Sequence, residues 1–272
     1  MAGARSYLFV PANRPERFSK ALASGADAVI VDMEDAVAPA AKVQARDVLH
    51  DWLQAQGALP NVWVRINAAD TEWYADDVRC FGPANIAGLV LPKTERSDDV
   101  DALRPHMTAT QRVLPLVETA MGMTQMRTIA SAAGVERLAF GSIDLQVDLG
   151  VQCDEAESEL THLRLEMTIA SRLARIAAPL DGVTTRIDDA PFLAAAVARA
   201  RRLGFGAKLC IHPRQVAVVN QGFLPSAAEL EWARAVMAAV ANADGGAIAL
   251  DGRMIDKPVI MQAQAFLHQA GE

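Results

Sequence analysis

A chain of 272 residues, 51% hydrophobic and 22% charged, has the makeup of an ordinary soluble globule, either one barrel-sized domain or two smaller ones. Its net charge of −7 would repel the phosphates of nucleic acid and the head groups of anionic lipid, so any anionic partner must be held by a local patch. No apolar run approaches the ~20 residues of a membrane span, no basic-then-apolar leader opens the chain, and Cys80, Cys153 and Cys210 are too scattered for a disulfide framework, which together point to the cytoplasm.

In chain order, β-rich apolar runs fall at residues 6–10, 28–32, 62–66, 88–91, 113–117, 137–141, 180–184 and 207–211. Most are too continuously apolar for half-exposed antiparallel strands, which alternate, and suit strands covered on both faces. Amphipathic helix-length segments separate them, at 15–24, 40–56, 98–104, 122–133, 158–177, 189–203 and 213–221. Pro15 and Pro213 suit first-turn positions, while Gly25, Gly57 and Gly204 suit helix exits. This alternation predicts an α/β fold, a (β/α)8 barrel over residues 1–222, although counting alone leaves a doubly wound sheet in competition. Beyond Gly222 come a helix over 226–242, the turn Asp244-Gly245-Gly246, a hairpin through 250–255 and a helix over 259–269. This extension, 223–272, is near the lower limit of ~50 residues for an independent core, so it should pack on the barrel or on a neighbouring subunit.

In a barrel of this kind, reactive groups gather where strands finish. Those positions carry Asn13 and Arg14, then Asp32, Glu34 and Asp35, then Arg65 and Asn67, Lys93, Glu118, Asp144 and His212. No G-x-S-x-G elbow and no Gly-rich phosphate loop is present, which argues against a serine triad and a nucleotide cofactor. A Schiff base at Lys93 needs a depressed pKa, and the surrounding carboxylates would raise it. Glu118 and Asp144 offer the hard oxygens that Mg2+ prefers and leave positions for a bidentate oxo or hydroxy acid. Arg65 could hold a substrate oxygen or stabilise an enolate through its planar fork of donors. On residue grounds alone the two acids serve equally well as helix-start or ion-pair residues, and Arg65 as the partner of Asp32 or Glu34. His212 reads as a structural histidine ahead of a helix, and the methionines at 121, 123 and 126 as packing.

The same residues carry a family resemblance. Arg5-Ser6-Tyr7-Leu8-Phe9-Val10-Pro11 and the run from Gly25 through Asp32-Met33-Glu34-Asp35 to Pro39, with Lys42 and Ala45-Arg46, open a series of motifs. Arg65-Ile66-Asn67, Leu91-Pro92-Lys93-Thr94-Glu95, Glu118-Thr119-Ala120, Phe140-Gly141-Ser142-Ile143-Asp144-Leu145 and Ile211-His212-Pro213 continue it. In this order they resemble the citrate lyase β-subunit-like family of the HpcH/HpaI aldolase superfamily. The resemblance implies a TIM barrel of the phosphoenolpyruvate/pyruvate type, a Mg2+ ion (with Mn2+ as a substitute) and a carbon–carbon lyase. Its substrate would be a 3-hydroxyacyl thioester of the citryl-, malyl- or citramalyl-CoA kind, cleaved to an acyl-CoA and a 2-oxo acid. Glu118 and Asp144 match the metal carboxylates, Glu118 and Arg65 the substrate-binding positions, and Phe9, Arg14 and Lys20 the coenzyme A side. In the tail, Asp251-Gly252-Arg253-Met254-Ile255-Asp256-Lys257-Pro258 resembles a motif whose second aspartate transfers a proton in a neighbouring subunit's site. Asp256 is therefore the catalytic candidate beside Arg65, in a homo-oligomer, trimer or hexamer. The extension is short, which limits any coenzyme-binding lid, and nothing marks a docking surface for a multi-subunit lyase complex. The competing readings are a class II aldolase acting on free 4-hydroxy-2-oxo acids, a malyl-CoA-type thioesterase and a non-catalytic metal-binding scaffold.

Overall fold

In a computed structural model of the chain, which describes residues 3–241, 248–250 and 253–272, the predicted strands close on themselves. They are β1 (Ser6–Pro11), β2 (Ala28–Asp32), β3 (Leu59–Arg65), β4 (Ile86–Leu91), β5 (Arg112–Val117), β6 (Ala139–Phe140), β7 (Leu180–Asp181) and β8 (Ala207–Cys210), all parallel, with β8 pairing back to β1. The doubly wound alternative is thereby excluded. Helices follow in alternation: α1 (Phe18–Leu22), α2 (Lys42–Ala55), α3 (Tyr74–Phe81), α4 (Ser97–Leu103), α5 (Ala120–Ser131), α6 (Ser142–Leu149), α7 (Thr161–Ala174), α8 (Ala190–Arg202) and α9 (Pro213–Gly222).

Side chains alternate across a strand, so one set fills the barrel and the other meets the helices. The inner set is Tyr7, Ala28, Ile30, Trp63, Val90, Leu114, Leu116, Ala139, Leu180, Ala207 and Leu209. Following the same parity two residues onward from Tyr7, Ile30, Trp63 and Leu116 reaches Phe9, Asp32, Arg65 and Glu118. The period of the strand thus carries the apolar interior into a charged top layer.

Strands β6 and β7 span two residues each, shorter than the sequence pattern predicts. On the β6 side Arg137 is taken up elsewhere, stacking on Tyr7 at 5.5 Å and donating to the Ala4 carbonyl at 3.1 Å, and after Phe140 the chain turns directly into α6. Helices α3 and α6 lie outside the predicted segments. Helix α3 is pinned by a buried carboxylate: Asp77 accepts from Arg46 Nε at 2.7 Å and from Asn67 Nδ2 at 2.6 Å.

Residues 3–220 and 221–272 form two compact units. In the second, α10 (Ala227–Ala241) and α11 (Lys257–Ala270) accompany an antiparallel pair, β9 (Ile248–Leu250) with β10 (Arg253–Ile255). Ala233, Val236, Ile255 and Ala263 form a small apolar cluster of its own, edged by Trp232 against Phe266 at 6.1 Å. The turn Asp244-Gly245-Gly246 and the motif residues Asp251 and Gly252 lie outside the described residues.

Candidate active site

A cavity of about 520 Å³ opens at the C-terminal ends of the strands, lined by Phe9, Asp32, Arg65, Glu118 and Asp144 above an apolar floor that includes Leu116, Phe140 and Leu209. Arg65, the last residue of β3, is buried and almost immobilised. Its Nε and Nη2 donate to the two oxygens of Asp32 at 2.7 and 2.6 Å, its Nη1 stands 2.9 Å from Glu34, and Phe9 covers the guanidinium at 4.8 Å. Burial by itself would weaken the cation, but Asp32 and Glu34 overcome it and hold the guanidinium above its ordinary range. The ion pairs weighed for Arg65 therefore exist, and they aim the group at the cavity.

The loop that carries Glu34 is fixed from two sides. Asp32 accepts the Glu34 N–H at 2.9 Å, while the buried Lys42 ammonium donates to the Met33 and Glu34 carbonyls at 2.8 and 2.7 Å. Burial raises the pKa of Glu34, with Arg65 opposing. Its Oε2 and Oε1 form ion pairs with Arg65 at 2.9 Å and Lys93 at 3.4 Å. Lys93 adopts a left-handed backbone, φ +48°, which turns its N–H onto Glu118 Oε1 at 2.8 Å. Burial lowers its ammonium pKa, Glu34, Asp35 and Glu118 together raise it by more, and the net rise argues against the Schiff-base option.

Glu118, one residue past β5, is buried and its pKa is pushed up to about 8, first by desolvation, then by the charge of Glu34 against the Lys93 N–H, with Asp144 adding to the rise. Gly141 is obligatory beside it, because a methyl group there would overlap the Glu118 Cβ and Oε2. Asp144 stands exposed in the first turn of α6. Among the described residues no cation forms an ion pair with Glu118, the charge of Arg65 offsets its burial only in part, and a divalent cation shared with Asp144 would complete the balance. Among the described residues no group of 3 or more His, Cys, Asp or Glu has metal-holding geometry. A two-carboxylate site completed by substrate and water is what Mg2+ accepts.

Of the remaining predicted residues, Phe9 lines the cavity, whereas Arg14 and Lys20 are exposed outside its lining, Arg14 lying 3.9 Å from Glu16. His212 Nδ1 accepts the Arg214 N–H at 3.2 Å ahead of α9, and Asn67 Nδ2 donates to Asp77 at 2.6 Å, contacts that fit a structural use of both. Asp256 belongs to the second unit, where it is exposed and caps α11 by accepting the Val259 N–H at 3.2 Å. The sequence reading missed three contributors: the N–H of Lys93, the close approach at Gly141, and Asp148, whose Oδ2 accepts the Ala120 N–H at 2.6 Å. Only Gly141, a glycine between a strand and an acidic helix start, carries a signal in sequence.

A family model described as HpcH/HpaI aldolase/citrate lyase matches residues 5–213. The chain belongs to that family. Within the HpcH/HpaI aldolase/citrate lyase family, a citrate lyase subunit beta-like protein of Mycobacterium tuberculosis is 38% identical over 278 residues, covering 100% of this chain and 97% of the relative. A (3S)-malyl-CoA thioesterase of Cereibacter sphaeroides is 33% identical over 280 residues, covering 98% and 94%. The solved structure of CitE from Mycobacterium tuberculosis in complex with magnesium, acetoacetate and coenzyme A is similar with a TM-score of 0.87 at 36% identity, over 100% of both chains. This HpcH/HpaI-family protein is thus an enzyme of a carbon–carbon lyase family, and the magnesium and coenzyme A expected from the motifs are ligands of that relative. Among the described residues no helix is long and apolar enough to cross a membrane.

Proposed function

We propose that this enzyme cleaves, or in reverse forms, a 3-hydroxyacyl-coenzyme A thioester, giving an acyl-CoA and a 2-oxo acid. The observation that carries this reading is the buried Glu118, its pKa raised despite the charge of Arg65, lining one cavity with Asp144 and an immobilised Arg65. Glu118 and Asp144 would hold Mg2+, which supplies positive charge to the oxygens of the oxo acid.

In the cleavage direction, the bond between the acyl α-carbon and the hydroxyl-bearing carbon breaks and its electrons enter the thioester enolate. The hydroxyl releases its proton to water to become the oxo group, and the α-carbon gains one. Arg65, kept cationic by Asp32 and Glu34, stabilises the enolate oxygen through donors fixed in advance. Asp256 is assigned the proton transfer at the α-carbon, supplied by a neighbouring copy in a homo-oligomer; the tail motif supports this, and the carboxyl is exposed. Arg14 and Lys20, both exposed, would meet the coenzyme's phosphates, with Phe9 at the thioester end.

Arg65 is the one cation lining the described cavity, and the floor around Leu116, Phe140 and Leu209 is apolar. A second carboxylate on the oxo acid would find no second cation there, and a buried charge without one is costly. Citramalyl- and malyl-CoA, which release pyruvate and glyoxylate, are therefore expected to outperform citryl-CoA. The test is a Mg2+-dependent assay of all three thioesters that follows 2-oxo acid and free thiol separately. Oxo acid without free thiol supports the lyase, while free thiol without oxo acid identifies the hydrolysis performed by the (3S)-malyl-CoA thioesterase relative. Inertness toward every thioester, with cleavage of free 4-hydroxy-2-oxo acids, would replace the proposal by the aldolase reading.

A further inference from the structure

The two carboxylates of the site sit on elements of unequal firmness. Glu118 extends from β5, inside the closed sheet, whereas Asp144 rides on α6, a helix of 8 residues whose only buried members are Ser142 and Leu145. Ile143, Val147 and Leu149 are 43%, 79% and 42% exposed, so packing does little to hold the far end of α6. A helix this short is marginal by itself, since isolated helices below ~12–15 residues are poorly populated in water.

The near end of α6 is tied down by the sheet: Gly141 N–H donates to the Val117 carbonyl at 3.0 Å, and Leu145 N–H donates to Gly141 at 3.0 Å. The far end is tied by a side chain. Asp148, one turn beyond Asp144 on the same helical side, accepts the Ala120 N–H at 2.6 Å. Ala120 is the first residue of α5 and stands two positions after Glu118, and the anion also faces the positive end of that helix. Asp144 lies between these two ties.

We infer that Asp148 is a positioning residue that latches α6 to the start of α5 and thereby sets the separation of Asp144 from Glu118. The inference rests on the reading of that pair as the cation site. It acts through geometry and places no atom of Asp148 on the ion or the substrate.

The test measures Mn2+ affinity of the full-length protein by titration calorimetry, with kcat and the Mn2+ KM as a second readout. Asp148→Ala should weaken Mn2+ about tenfold, the size of one charge-assisted hydrogen bond, while kcat at saturating Mn2+ recovers. Asp148→Asn, which keeps an acceptor oxygen, should restore affinity to within about twofold. Ala120→Pro deletes the donor and keeps the acid. Proline is tolerated at a first helical position, and Thr119 before it is already extended, φ −129° and ψ 157°. This variant should match Asp148→Ala, and the double variant should be no weaker than either single one. If Asp148→Ala fails to fold, Ala120→Pro carries the same comparison. Glu118→Gln separates the two readings: should it abolish Mn2+ binding while Asp148→Ala and Ala120→Pro bind as wild type, the latch is wrong and the pair stands. Additive losses in the double variant would also overturn the latch. Unchanged Mn2+ affinity in Glu118→Gln would overturn the pair and the latch together.

Discussion

At the scale of single residues, Glu118 concentrates the electrostatic cost of the site. Its carboxyl ionises near 4.5 in an unfolded chain and at about 8 in the fold. Between those values the folded state keeps a proton that the unfolded state has released, so stability falls as pH rises. The contribution is complete below about pH 4.5 and gone above about pH 8. Metal-free wild type should therefore lose melting temperature across this window relative to Glu118→Gln, and Mg2+ should raise the wild-type value at the alkaline end. Parallel pH profiles for the two proteins would show that another group carries the charge. Arg65 stands in contrast, because its neutralisation by Asp32 and Glu34 comes from the chain itself and needs no added ion.

At the scale of elements, the charged layer depends on ion pairs buried behind the strands as well as on those facing the cavity. Asp181 of β7 accepts from Arg164 Nε at 2.9 Å and from Lys208 Nζ at 2.9 Å, and those cations, winning over its complete burial, hold its carboxyl at about 2. Asp181→Asn should cost roughly 3–5 kcal/mol, because it takes the carboxylate from buried Lys208 and one of the two from buried Arg164, which keeps Glu157. Chemical denaturation reads this directly, and a loss under about 1 kcal/mol would mean that water relaxes the pair. The strands themselves were legible because most lie in continuous apolar runs with a turn on either side, although β6 and β7 are shorter than those runs. Helix α6 was not: Ile143, Leu145, Val147 and Leu149 alternate like a strand, yet of these only Leu145 is buried, and the ties that hold the helix run from Gly141 to Val117 and from Asp148 to Ala120. Helix α3 was missed because its core contribution is limited to Val78 and Phe81 plus a buried acid. The members of the site were readable as polar residues at strand ends. Their contacts were not, since the Lys93 N–H reaches Glu118 only through a left-handed backbone that lysine does not announce.

At the scale of the whole molecule, the proposal divides the chemistry between units: the barrel of one copy supplies Glu118, Asp144 and Arg65, and the extension of another supplies Asp256. Such sharing has a signature that a self-contained site lacks. Glu118→Gln and Asp256→Ala, each inactive alone, should regain activity when mixed under conditions that exchange subunits, because some sites then receive both intact residues. A mixture as inactive as its components, or a strictly monomeric wild type by light scattering, would move the proton transfer back into the barrel.

The seating of Arg65 also bears on handedness. Phe9 lies over the guanidinium at 4.8 Å, and the Asp32 edge is closed by two hydrogen bonds. A flat enolate held there is screened from one side, so its two faces stop being equivalent. With an acyl group longer than acetyl, condensation should deliver the α-carbon in a single configuration, written by an aromatic ring that takes no part in bond making.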